Sequence, residues 1–262
     1  MPLQSRTLDQ LIIDDEAAVS GIEAYRLLKT ALRRSNQRFL VPATGDAGTV
    51  SWDRALFLNL TFWNAADGAD VLCDEHIPAD VVAHVAWHHV VGRAITGLGG
   101  PCQMGAAALF FSESIASAFD LYLIARLLPV TPDCDFIATQ LPIMAEAAEQ
   151  AGLPAAGFAA LIEEVVRQPE QSFEDLRGLL LDALTALLPC GSAGEAVAVL
   201  EGFSGHRFEP LLHHFQLSNW ILYARAYAVT SPASDQAVRA LDTTLRQSPD
   251  ALNWLIEHWL TD

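Results

Sequence analysis

The sequence predicts a mainly α protein with a small β element. Three observations lead there: long apolar stretches with helical spacing, Pro, Gly and Ser breaks at helix-length intervals through the second half, and one segment of strict two-residue alternation. The chain has 262 residues, 52% of them hydrophobic, which suffices for a substantial core near the size where a single core stops growing. From the N-terminus, Thr7 and Gln10 have capping-box spacing and predict a helix over residues 7–34. Pro42, Gly45 and Gly48 mark a loop. Over residues 55–63, ALFLNLTFW sets Leu56, Leu58, Leu60 and Phe62 on one side and Phe57, Asn59 and Thr61 on the other, the pattern of a strand.

A second helix is expected over residues 78–95, with Pro78 suited to its first turn, followed by the glycine-rich connection ITGLGGPCQMG. A third covers residues 105–128. Beyond Pro129 the sequence reads as helices broken near Pro154, Pro169, Pro189, Gly202 to Gly205 and Ser231-Pro232, with Pro142 kinking one helix and Pro210 starting or bending another. No fixed-period repeat, low-complexity tract or linker is visible. The expected organisation is a region over residues 1–130 with a helical region over 131–262 packed on it as one compact unit.

Fifteen Lys and Arg against 32 Asp and Glu give a formal charge of -17, which repels nucleic-acid phosphates and anionic lipid surfaces. No nucleic-acid or membrane partner is therefore expected. The N-terminal MPLQSRTLDQ lacks the basic start and apolar stretch of a secretory signal, so a cytoplasmic location is expected. Cys73, Cys102, Cys134 and Cys190 form no CxxC pair and read as reduced thiols. Residues 104–130 are apolar enough to raise the question of a membrane span, but Glu113, Asp120 and Arg126 interrupt them, as in a core helix.

The chemistry concentrates in HVAWHH, residues 84–89, and FSESIASAFD, residues 111–120. On a helix His84 and His88 lie about 40° apart, one turn from each other on one face, a spacing that suits two ligands of one metal. Glu113 and Asp120 are seven residues apart and nearly superimposed, with Ser117 between them. Carboxylates on so apolar a helix must reach solvent, pair with a cation, bind a metal or take up a proton. Arg93 is an ion-pair candidate for Glu113, yet it points about 180° from His84 on its own helix. His89, about 140° from His84, faces away, and His76 beside Glu75 lies just ahead of the helix.

HVAWHHVV followed by SESIASAFD resembles the gluzincin metallopeptidases, in which a helix carrying HExxH precedes one supplying a glutamate in an NExxA-like context. The resemblance covers roughly residues 55–125 and implies a zincin-like core with a C-terminal helical region. It makes His84, His88 and Glu113 metal ligands, with Asp120 or Ser117 orienting a histidine, and the strand of residues 55–63 an edge strand beside a cleft. By the same analogy His213, His214 or Tyr223 closes that cleft over an oxyanion.

The departures are as informative. Val85 stands where those peptidases carry the glutamate that activates water, and Ser112 replaces the usual asparagine. Losing a general base costs about 10²- to 10⁴-fold in rate, so peptide hydrolysis by the family route is not expected. Two histidines and a carboxylate also describe non-haem Fe(II) sites. The expected function is a metal-dependent enzyme, using Zn or Fe(II), with non-peptidase chemistry on a small molecule or peptide. The alternative is a metal-free pseudo-peptidase acting in binding or assembly. A di-iron carboxylate protein using Glu75, His76, Glu113 and Asp120 is a third reading, weakened by the absence of paired Glu-x-x-His motifs. No GxGxxG, P-loop or GxSxG sequence supports a nucleotide or a nucleophilic serine.

Overall fold

The computed structural model describes residues 3–42, 62–66, 69–72, 74–96 and 104–261. The architecture is mainly α with a small β element, as the sequence predicts. The first segment departs from expectation. Where a single helix over residues 7–34 was expected, the chain forms strand β1 (Leu3–Thr7), a 3-10 turn (Leu8–Gln10), strand β2 (Ile12–Asp14), a short helix α1 (Glu16–Val19) and then α2 (Glu23–Arg34). The spacing of Thr7 and Gln10 does its capping work, since the Gln10 side chain accepts the Thr7 N–H at 3.0 Å, but it caps only the 3-10 turn. The β-branched pair Ile12-Ile13 then prefers an extended backbone, and Asp15 in the left-handed region (φ 58°) turns the chain into α1. Only α2 keeps the amphipathic pattern, with Tyr25, Leu28 and Leu32 buried.

Strands β3 (Arg38–Pro42), β4 (Phe62–Ala66) and β5 (Ala69–Val71) join β1 in a four-stranded sheet of order β1-β3-β5-β4. β1 and β3 are antiparallel, β3 and β5 parallel, and β5 and β4 antiparallel with an irregular register. Of the strand expected over residues 55–63, only Phe62 and Trp63 belong to the described residues, and they begin β4. A separate parallel pair joins β2 to β6 (His76–Pro78), with Ile13 opposite Ile77. Because β6 runs directly into helix α3 (Ala79–Thr96), this pairing fixes where that helix begins.

Helix α3 and the following α4 (Ala106–Leu127) match the two expected helices within a residue or so at each end. Most of the expected glycine-rich connection, residues 97–103, lies outside the described residues. Both helices are apolar on nearly every side, the signature of helices enclosed in a core. α4 is long and apolar enough to cross a bilayer, but 89% of its apolar window is buried inside the protein.

The second half is helical, as expected: α5 (Asp135–Gln150), α6 (Ala155–Arg167), α7 (Pro169–Leu187), α8 (Ala193–Glu201), a 3-10 turn (Glu209–Leu211), α9 (Leu217–Tyr227), α10 (Pro232–Gln247) and α11 (Ala251–Leu255), which ends in a π-helical turn (Ile256–Leu260). Pro169 and Pro232 occupy first turns, where the missing N–H costs nothing, and Pro142 lies inside α5. α4 is the central element, packed along α3 on one side and α7 on the other. One continuous apolar core therefore contains residues from both halves of the chain, from Leu8 to Leu260.

Candidate metal centre

The residues singled out in the sequence meet on the facing surfaces of α3 and α4. His84 and His88 stand one turn apart on α3 with ring centroids 4.8 Å apart. Across from them Glu113 presents one carboxylate oxygen to each: Oε2 is 3.6 Å from His84 Nε2, and Oε1 is 3.6 Å from His88 Nε2. The donor atoms of all three side chains lie within 4.8 Å of one another. Glu113 is only 12% exposed, so the cluster is not a surface acid patch.

These distances are too long for hydrogen bonds. They suit a shared cation better, because ligands about 2.0–2.2 Å from a tetrahedral metal are separated from each other by roughly 3.3 Å. With one donor atom per side chain the separations reach at most 4.8 Å, so the side chains draw together by up to about 1.5 Å to reach that spacing.

The outer atoms of both imidazoles are also engaged. His84 Nδ1 lies 3.6 Å from Asp120 Oδ2, on the same stripe of α4 as Glu113. His88 Nδ1 is bonded to Ser112 Oγ at 2.7 Å, and Ser112 is fully buried. His88 Nε2, by contrast, is buried and has no hydrogen-bond partner. A buried polar atom without a partner costs free energy, typically about 1–3 kcal/mol, and a metal ion is one way to satisfy it.

Charge follows from this geometry. Burial pushes His88 down to about 4 and keeps it neutral, the form that ligates a metal. Burial opposes charge on His84 as well, but the carboxylates of Asp120 and Glu113 on either side outweigh it and raise this histidine to about 10. Burial would raise Glu113, and the two histidines reverse that and hold it below its ordinary value. Asp120 is raised, because burial outweighs the attraction of His84.

Spacing along α3 also points to Asp80, one turn before His84, a residue that sequence reasoning passed over. The series Asp80, His84, His88 falls at i, i+4 and i+8 and was legible in the sequence. Burial, together with the charge of Asp120, raises Asp80 to about 6. Ser112, at the position where the peptidase motif has asparagine, is the hydroxyl that reaches His88. Ser117 is buried on the same helix.

Of the three residues suggested for closing a cleft, the structure brings His214 within electrostatic range of Asp120. His214 is part-buried, its Nδ1 is buried without a hydrogen-bond partner, and burial lowers its pKa. His213 is exposed, and Tyr223 is 50% exposed on the outer side of α9, packed on Tyr227. His76 pairs with Asp14 at 3.0 Å on the strand pair, and Glu75 is exposed beside it. Arg93 is exposed near the end of α3, and its charge adds to the burial that lowers His89.

The class defined by fold and site is thus a mainly α protein enclosing a His84, His88, Glu113 cluster able to hold a metal ion. The chain matches no protein-family model, no curated protein and no solved structure.

Proposed function

We propose that the protein is a metal-dependent enzyme whose His84, His88 and Glu113 hold Zn(II) or Fe(II) and whose chemistry is not peptide hydrolysis. The observation that carries this reading is His88 Nε2, held neutral, buried and unpartnered 3.6 Å from Glu113 Oε1. Three protein ligands leave coordination positions for substrate, where a bound metal supplies Lewis acidity or, for iron, redox chemistry. The chain's own residues bind and orient: Asp120 and Ser112 face the outer nitrogens of the two histidines, and much of the surrounding surface of α4 is apolar.

Val85 is 4% exposed and cannot accept a proton, which removes the water-activating step of the gluzincin route. A gluzincin-like core that has kept its ligands and exchanged its base fits HVAWHH and SESIASAFD together. The substrate is a small molecule or a peptide, neither nucleic acid nor lipid surface, and the protein works in the cytoplasm.

One observation favours a second reading, a metal-free binding or assembly protein. A carboxylate lies 3.6 Å from each nitrogen of His84, so a proton on that ring neutralises part of the cluster without any metal. Elemental analysis of protein purified without chelator separates the two. About one Zn or Fe per chain is expected, and the His84→Ala, Glu113→Ala double variant should fall to background. No metal above background in the parent rejects the metal-dependent enzyme. Two irons per chain indicate a di-iron site instead.

A further inference from the structure

We infer that Ser112 is the positioning residue of the candidate metal centre: its hydroxyl, bonded to Nδ1, fixes the His88 ring so that Nε2 faces Glu113 and the cation, and it accepts the Nδ1 proton once Nε2 ligates. The inference deepens the metal reading above and rests on it, but it can be tested apart from it.

Helix geometry makes the arrangement possible. Ser112 and Glu113 are consecutive on α4, so their side chains diverge by about 100° and grip His88 from two directions, one at each ring nitrogen. The Ser112 hydroxyl meets Nδ1 at 2.7 Å, and Glu113 Oε1 faces Nε2 at 3.6 Å. Both contacts come from one turn of a helix whose neighbouring positions, Phe111, Ser114 and Ile115, are buried, so the backbone carrying them has little freedom. Ser114, the nearby hydroxyl, is already spent on the Phe111 carbonyl at 2.8 Å. That leaves Ser112 as the hydroxyl placed for His88.

The tautomer matters because a neutral imidazole offers one lone pair only. A serine hydroxyl can donate to Nδ1 or accept from it, so in metal-free protein an Nε2 proton can face the Glu113 carboxylate 3.6 Å away, and it is the cation that takes that proton's place. With the proton on Nδ1, the short contact becomes an N–H donated to Ser112 Oγ, and Nε2 presents its lone pair toward Glu113. The unpartnered state of Nε2 is then what a ligand atom requires. The two histidines thus have unlike outer partners, a carboxylate for His84 and a hydroxyl for His88, so Ser112 adds no charge to a cluster already rich in carboxylates.

The test uses the full chain labelled with ¹⁵N-histidine and read by long-range ¹H–¹⁵N correlation with and without Zn(II), alongside Zn(II) titration. In the zinc-bound parent, His88 should ligate through Nε2 and carry its proton on Nδ1. Ser112→Ala should shift the His88 Nδ1 signal in metal-free protein and weaken Zn(II) binding about 10- to 100-fold, the usual effect of losing an outer partner. Ser112→Thr, which keeps the hydroxyl, should restore both. Zinc bound through Nδ1 of His88 overturns the inference even if it binds tightly. So does a Ser112→Ala variant with the parent Nδ1 signal and parent affinity. A parent that binds no zinc overturns the metal reading instead, and the response of His88 Nδ1 to Ser112→Ala in that same sample still decides whether the hydroxyl holds the ring.

Discussion

The charged cluster around Arg177 and the one around Glu113 both involve helix α4, and they are built differently. Around Arg177 on α7, Glu174 accepts two hydrogen bonds at 2.6 Å and Asp242 of α10 a third at 2.8 Å, while the guanidinium lies 5.7 Å from the Phe111 ring. Around Glu113, one residue beyond Ser112, three histidine–carboxylate distances are each 3.6 Å. In the first set opposite charges are in contact, although Arg177 Nη1 is buried without a partner. In the second, nitrogen and carboxylate oxygen stand 3.6 Å apart at all three of these pairs. Spacing, rather than the number of buried charges, separates a structural ion pair from a site.

The largest expected effect breaks this comparison from the Arg177 side. Arg177 is fully buried, and truncating it leaves Glu174 without its cation and Asp242 with Arg246 alone. Arg177→Ala should lower unfolding stability by about 3 kcal/mol or more, as for other broken buried pairs. Glu113→Gln in metal-free protein should cost less than that, because its contacts to His84 and His88 are 3.6 Å long and Asp120 still faces the His84 proton. Urea denaturation of both variants in chelator decides the matter. Comparable losses would show that Glu113 is a structural ion-pair partner like Glu174.

The same contrast explains what the sequence reveals and what it hides. HVAWHH and SESIASAFD are local patterns, and helix periodicity alone places His84 with His88 and Glu113 with Asp120 on common faces. Asp80 obeys the same periodicity and was equally legible. The Arg177 cluster was not, because Arg177 and Asp242 are 65 residues apart and nothing local marks them as partners. Residues 7–34 failed for a related reason. The pairing of Ile12 to Asp14 with His76 to Pro78 is long-range, and it overrides a helical pattern that continues correctly only from Glu23. The outer partner of His88 depends on which hydroxyl of α4 faces α3, and crossing geometry decides that rather than spacing. The helices after Pro129 were legible because proline and glycine punctuate them.

A second prediction works from the Glu113 side. Zn(II) at 100 times its dissociation constant should raise stability by about 2.7 kcal/mol, and Glu113→Gln should abolish the increment while Arg177→Ala, where still folded, should retain it. Thermal unfolding with and without zinc reads both. An equal increment in parent and Glu113→Gln would remove Glu113 from the ligand set.

Proton linkage sharpens the same point. His84 is raised to about 10 in the folded protein, above its value of about 6.5 when unfolded. Its contribution to metal-free stability is therefore fully present below about pH 6.5 and lost as pH rises through about 10. Metal binding runs the other way, since the ion must displace this proton, and affinity should rise with pH over that range. Calorimetric titration at pH 7 in buffers of different ionisation enthalpy should show release of about one proton per zinc. Zero release would mean that His84 is already neutral and that its flanking carboxylates do not hold a proton there.

Asp15 offers a third way to enclose a carboxylate, and the smallest of these effects. Its side chain accepts the backbone N–H of Phe136 in the first turn of α5, at 2.8 Å, tying the segment before α1 to the second half of the chain. The residue does this from the left-handed region at φ 58°, where Asp and Asn are tolerated better than other side chains. Asp15→Asn keeps both the acceptor and the backbone preference and should cost less than about 1 kcal/mol. Asp15→Ala loses both and should cost about 2 kcal/mol, with faster hydrogen exchange at the Phe136 amide. Because this carboxylate is satisfied by an N–H at contact distance, neither variant should alter zinc affinity. A parallel loss of zinc binding would mean that the α3 and α4 site depends on how the second half is docked.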